Sequence, residues 1–151
     1  MDYSKVIDKL NDALRHEWTG VAQYAQMGFV VSGIWREVYS EKFYESAEES
    51  FGHAKKVGEK IAALGGVPTV ERKPVKLTND LTEMLQNSLE FESTAVKLYN
   101  EALVLAEGDR ALVVFLEDIL KEEQEGVDEF TLILRGHNAA TTATPAASKV
   151  G

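Results

Sequence analysis

Residues 78–103 read TNDLTEMLQNSLEFESTAVKLYNEAL, and one letter in that stretch decides the fold. Leu81, Leu85, Leu89, Val96, Tyr99 and Leu103 recur in steps of three and four, the spacing of one face of a helix packed lengthwise in a bundle. The place between Leu89 and Val96 is filled by Glu92, so a carboxylate stands in the middle of the apolar stripe. Thr78 and Asn79 are good N-caps, and Asp80 in the first turn complements the helix dipole, so the helix is expected to open there.

The same oddity occurs twice more. Upstream, Tyr3, Ile7, Leu10, Leu14, Glu17, Val21, Tyr24 and Gly28 mark a helix from about Ser4 to about Val31, with Glu17 inside its stripe. Downstream of a Gly108-Asp109 turn, Leu112, Leu116, Ile119, Glu123, Val127, Phe130 and Leu134 mark another, with Glu123 inside, ending at Gly136. A further helix, from about Trp35 to Leu64, presents Phe43, Ala47, Ala54, Val57, Ile61 and Leu64. It follows a break at Ser32-Gly33 and stops at Gly65-Gly66 and Pro68, where glycine accepts the left-handed cap and proline cannot continue the helix. No stretch alternates as a strand would, so the class is all-α.

The connections predict how four helices pack. Short turns join the first to the second and the third to the fourth, so each pair forms an antiparallel hairpin. The link from Gly65 to Leu77 spans roughly 40 Å when extended, about the length of one of these helices. It can run the length of the bundle and start the third helix at the same end as the second. Residues 1–136 therefore read as one four-helix bundle, and residues 137–151, rich in Ala and Thr, as a disordered tail.

Composition removes several functions. With 151 residues the chain is one domain's worth, and without cysteine it has no disulfide, thiolate ligand or thiol nucleophile. Twenty-five acidic against 16 basic residues give a net charge of −9, which repels phosphates and argues against a nucleic-acid partner. No apolar run approaches membrane-spanning length, and the first residues carry no secretory pattern. The expectation is a cytoplasmic protein with no membrane partner.

Carboxylates on three apolar stripes need a compensating charge. A buried network with protein cations is the competing account, but none of the four stripes carries Lys or Arg. A metal ion is then the natural counter-charge for Glu17, Glu92 and Glu123. His53, at the edge of the second helix's face, is placed to lean inward as a nitrogen donor. Carboxylate-rich sites with an imidazole suit iron or manganese, and zinc less exclusively. Tyr24, on the stripe of Glu17, is either a core residue with a satisfied hydroxyl or a group that bonds a ligand or relays an electron.

These residues resemble a known family. Leu10-Asn11 with Glu17 and Tyr24, then His53-Ala54 leading to Gly66-Val67-Pro68, resemble the first two helices of bacterioferritin within the ferritin-like superfamily. Glu92 with Lys97 and Glu101-Ala102 resembles its third helix, and Leu120-Lys121-Glu122-Glu123 the motif of its fourth; the likeness covers roughly residues 5–135. The resemblance implies a ferritin-like four-helix bundle with a long crossover and a di-iron ferroxidase centre. In that centre two helices give one glutamate each and two give a Glu-x-x-His pair. Glu17 and Glu92 match the single glutamates, His53 the histidine of one pair, and Glu123 the glutamate of the other. Ser50 stands where the first pair has its glutamate and Gly126 where the second has its histidine. Glu49, Glu122 and Glu125 are the neighbours that substitute ligands would come from. Phe51 falls where the family's haem-ligating methionine stands, so no haem is expected, and the short fifth helix is replaced by the tail.

Three functional expectations follow. The first is iron binding at Glu17, His53, Glu92 and Glu123, as a mononuclear or di-iron site, with Fe(II) oxidation by dioxygen or peroxide and iron storage or detoxification. No catalytic residue beyond the metal ligands is expected. The second is an inactive structural subunit of a ferritin-like assembly, and the third a metal-dependent oxidase of unknown substrate. A homo-oligomer, dimer or shell, is expected, with Phe29, Val30, Ile34 and Trp35 at the interface.

Overall fold

The computed structural model describes residues 1–136 with their side chains. Its four helices are α1 (Ser4–Val30), α2 (Arg36–Ala63), α3 (Leu81–Leu105) and α4 (Arg110–Val150). The expected helix end at Gly136 and the expected disordered tail, residues 137–151, fall at the edge of and outside the described residues. Among those residues there is no strand, and no helix is long and apolar enough to cross a membrane.

Each break follows from local chemistry. Gly33 and Gly65 have φ of 93° and 91°, which side-chain-bearing residues adopt only under strain. They end the two helices of the first hairpin where the sequence predicts. At the start of α3 the cap is Asp80 itself, whose carboxylate accepts from the Glu83 amide at 2.9 Å. This corrects the expected cap by one or two residues; Thr78 instead accepts from the Asp80 amide at 3.1 Å. Asp109 does the same work for α4, accepting from the Leu112 amide.

α1 packs along α2, α3 along α4, and α1 on α3, so the two hairpins form a bundle. The crossover between α2 and α3 is laced to α1 by side chains rather than left free. Asn11 holds Val67 O and the Thr69 amide, Trp18 donates its indole N–H to Thr69 O, Thr19 accepts from the Lys73 amide, and Gln23 exchanges two bonds with Lys76. Contacts advance together along both segments. The crossover therefore runs parallel to α1 and delivers the chain to the end at which α2 began.

The core has two apolar layers. One, with Val6, Leu10, Leu14, Val57, Ile61, Tyr99, Leu112 and Leu116, lies towards the start of α1. The other, with Tyr24, Met27, Phe43, Met84, Phe91 and Phe130, lies towards its end. Leu85, Glu92 and Tyr99 of the predicted α3 stripe are buried as expected, and the rest of the buried face lies one position before the predicted one. Met84, Ser88, Phe91, Ala95 and Ala102 are buried, whereas Leu81, Leu89, Val96 and Leu103 are only half-buried.

Candidate metal centre

Between the two apolar layers lies a polar one. Glu17, His53, Glu92 and Glu123 come from α1, α2, α3 and α4 respectively, and all four are buried, with exposures of 1, 2, 6 and 2%. His53 is more enclosed than its place at the edge of the second helix's face predicts. Its Nδ1 lies 3.1 Å from Glu17 Oε2 and 2.7 Å from Glu123 Oε1, and its Nε2 lies 2.6 Å from Glu122 Oε2. Both ring nitrogens face carboxylate oxygens, an arrangement that favours the imidazolium form. Burial alone would lower its pKa; the hydrogen bonds and charges of Glu123 and Glu17 outweigh that and hold it at about 11.

The carboxylates show the opposite pressure. Burial raises Glu17, with His53 pulling it back. Glu123 is pushed up to about 7 by burial and by the charge of Glu17. Glu92 is raised well above the carboxylate range by burial and by its hydrogen bond to Glu123. Glu92 accepts at Oε1 from the Tyr24 hydroxyl at 2.6 Å. Tyr24 is thus a fully buried core residue with a satisfied hydroxyl, stacked between Phe43 and Phe130, and it holds one of the site's acids.

Glu17, His53 and Glu123 each offer a ligand atom within 4.8 Å of the others, and so do Glu49, His53 and Glu122. Glu92 stands beside the first group, turned towards Tyr24 and Glu123. Two buried carboxylate atoms, Glu17 Oε1 and Glu123 Oε1, have no hydrogen-bond partner among the described residues. Glu123 Oε1 is close to His53 but off the direction of its N–H. Buried anionic oxygens seldom stay unpaired. Oxygen donors with one imidazole are also the donor set of iron and manganese sites, so these residues fit a metal cation.

Ser50 and Gly126, the two positions without an expected ligand, are both closely packed. Ser50 is buried against α1: a Cβ placed on Gly20 would lie 2.5 Å from its Oγ. A Cβ placed on Gly126 would lie 3.1 Å from Glu92 Cδ and 3.2 Å from its Oε2, so Glu92 occupies the ground a side chain there would need. Glu122 was a possible substitute by sequence, and the structure brings it to His53. Glu49 stays exposed within reach of the same pair. Glu125 lines a cleft of about 360 Å³ with Lys42, Ser46, Glu49, Glu122 and Glu129, at whose floor lie Glu92 and Gly126.

Two residues near the centre were not legible as such. His16 is buried, stacked 4.0 Å from Phe91, and donates from Nε2 to Phe91 O at 2.9 Å. Tyr99 is fully buried with an unpartnered hydroxyl and feels the charges of Glu17, Glu123 and Glu92. Tyr99 reads as an ordinary stripe residue in the sequence, and only its position seven residues after Glu92 could have flagged it.

Comparison with known proteins agrees with this fold. A family model described as ferritin-like domain matches residues 7–138. A bacterioferritin of Rhodobacter capsulatus is 34% identical over 129 residues, covering 83% of this chain and 80% of that one. A nutrient stress-induced DNA-binding protein of Synechococcus is 31% identical over 140 residues, covering 81% and 76%. Among solved structures, a ferritin-like diiron-carboxylate protein from Bacillus anthracis superposes with a TM-score of 0.85 at 32% identity, covering 89% of this chain and 99% of that one. A dodecameric thioferritin from Bacteroides fragilis does so at 0.85 and 27%, covering 95% and 92%.

Proposed function

The chain belongs to the ferritin-like domain family, and from that premise we propose that it binds iron among Glu17, His53, Glu92 and Glu123 for storage or detoxification. The observation that carries this reading is the pair of unpartnered carboxylate oxygens, Glu17 Oε1 and Glu123 Oε1, beside a single imidazole in a buried layer. Iron is the cargo here. When bound, it supplies the one-electron chemistry of Fe(II) oxidation, with dioxygen or peroxide as oxidant.

The chain's own groups do the rest. Glu49, Glu122, Glu125 and Glu129 give the cleft a negative field that gathers cations. Glu122 meets the arriving charge at His53, whose proton must leave before a ring nitrogen can ligate. Glu17 and Glu123 supply anionic oxygens, which favour the higher oxidation state. Tyr24 keeps the Glu92 carboxyl in place. The missing glutamate and histidine at Ser50 and Gly126 favour one strong cation site over a symmetric pair, with Glu122 and Glu49 on the path by which the cation arrives. Haem has no part in this reading.

A second reading has an observation of its own. The His53 imidazolium already neutralises part of the carboxylate charge, so the layer is tolerable without a metal. An inactive structural subunit would keep such a network. Anaerobic loading with Fe(II), followed by oxygen admission and measured uptake, separates the two. Roughly one to two irons per chain with oxygen consumed supports the first. A folded, helical protein that takes up no iron moves the assignment to the second.

Self-assembly belongs to the same proposal. Phe29, Ile34 and Trp35 are exposed at 66, 90 and 57%, while Val30 is half-buried. Exposed apolar side chains gathered where α1 passes into α2 suit a contact between copies, and the Bacteroides relative is dodecameric. Light scattering on the purified chain reads the mass directly. The net charge of −9 keeps nucleic acid off the list of proposed partners.

A further inference from the structure

The polar layer is flanked by two buried tyrosines, and only one has a partner. Tyr24 belongs to the apolar layer on one side and is bonded to Glu92. Tyr99 belongs to the layer on the other side, packed with Leu10, Leu14, Val57 and Leu116, and its hydroxyl meets no acceptor among the described residues. Seven residues, two helical turns, put it on the same face of α3 as Glu92. A phenylalanine would fill that space without stranding a polar atom. The hydroxyl calls for a reason.

Its surroundings supply one. Tyr99 shares its apolar layer with Leu10 and Leu14, buried on α1 seven and three residues before Glu17, so it borders the polar layer from that side. Glu17 Oε1 and Glu123 Oε1 are themselves unpartnered. A buried donor and buried acceptors in one core, none of them satisfied by another group among the described residues, are the situation that a bridging oxygen resolves. We propose that Tyr99 is a positioning residue of the centre, its hydroxyl donating to a water or small exogenous ligand lodged between it and Glu17 Oε1. The consequence for function rests on the metal reading above: such a ligand would also lie beside a cation held by Glu17 and Glu123. Tyr24 then steadies a carboxyl from one side, and Tyr99 steadies the exogenous ligand from the other.

Cobalt(II), loaded without oxygen, and azide as the exogenous ligand test this on the full chain. Parent and Tyr99→Phe are expected to bind Co(II) with equal stoichiometry, and azide about tenfold more weakly in the variant, the worth of one hydrogen bond. Equal azide affinity with unchanged cobalt absorption overturns the Tyr99 inference and leaves the metal reading standing. No Co(II) bound by either protein overturns both. Loss of Co(II) by the variant alone would make Tyr99 a ligand and overturn the bridging role. Should Tyr99→Phe lose its helical content, the near-ultraviolet tyrosine difference spectrum of Co(II)-loaded Tyr24→Phe protein on azide addition reads the same contact. A shift supports the proposal, and a flat difference spectrum overturns it.

Discussion

The centre has a closed side and an open side, and they are built from different materials. Over α1 and α3 the crossover is laced down by Asn11, Trp18, Thr19 and Gln23, and beneath it His16 lies flat on Phe91 with one nitrogen bonded to its carbonyl. Over α2 and α4 there is an acidic cleft, crossed by the Lys42–Glu129 ion pair at 2.7 Å, with Lys42 also 4.7 Å over the ring of Phe130. The closed side positions Glu17 and Glu92. The open side admits solvent to Glu122 and Glu49, which can move. Buried acids and an exposed one therefore meet across His53, with Glu17 and Glu123 at Nδ1 and Glu122 at Nε2.

The largest effect expected from this division is at the inner carboxylates. Glu123→Ala removes one of the buried carboxylates and the oxygen that lies 2.7 Å from His53 Nδ1. Iron binding and oxygen uptake should fall to the buffer background. If Glu122→Gln does the same, the inner and outer acids are one set and the division fails.

Next in size is the pH dependence of metal affinity. His53 holds its proton to about 11, and Glu123 takes one below about 7. A metal ion bound to both must displace one proton above that pH and two below it. Affinity should fall roughly tenfold per unit as pH drops towards 7, and roughly a hundredfold per unit below. Competition titrations with a chelator of known protonation measure the slope. A flat profile would mean that His53 never ligates.

Much of this was legible in sequence, for a physical reason. Glu17, Glu92 and Glu123 announce themselves because a carboxylate on an apolar stripe is costly, and cost is visible in a pattern. The crossover was legible as a length. What holds it down was not, because Asn11, Thr19 and Gln23 are ordinary polar letters until their partners are known. Part of the α3 stripe was off by a position because Ala95 and Ala102 are buried for their smallness, which hydrophobic periodicity underweights. Glu122 lies beside a stripe rather than on it, and a flexible side chain brought it to His53. His16 and Tyr99 looked unremarkable for the opposite reason, being residue types that sit in cores without comment.

The closed side has its own pH signature. Burial depresses His16 from 6.5 to about 4, against the hydrogen bond to Phe91 O. Between those values the unfolded chain binds a proton that the folded chain refuses, so stability falls as pH drops from about 6.5 to about 4. The loss is on the order of 3 kcal/mol. Raised pKa values at Glu17, Glu92 and Glu123 act the other way, since the folded state then binds the extra protons. The difference between parent and His16→Gln in denaturant titrations across that range isolates the term. Parallel curves would show that the ring is hydrated rather than sealed.

The smallest effect belongs to the open side and separates a gate from a ligand. Glu122 is bonded to His53 Nε2 at 2.6 Å, yet its side chain is 44% exposed, so solvent screens the pair and its contribution to stability is small. Glu122→Gln should leave the denaturation midpoint nearly unchanged and keep iron stoichiometry. It should slow iron entry several-fold at low salt, because one charge has left the cleft's field. Stopped-flow iron uptake at two ionic strengths reads both quantities. A slower rate whose salt dependence also weakens identifies Glu122 as a group that attracts and hands on the cation. An unchanged rate with lost stoichiometry would instead place Glu122 among the holding ligands, and the centre would extend into the cleft along the line the Ser50 and Gly126 substitutions left open.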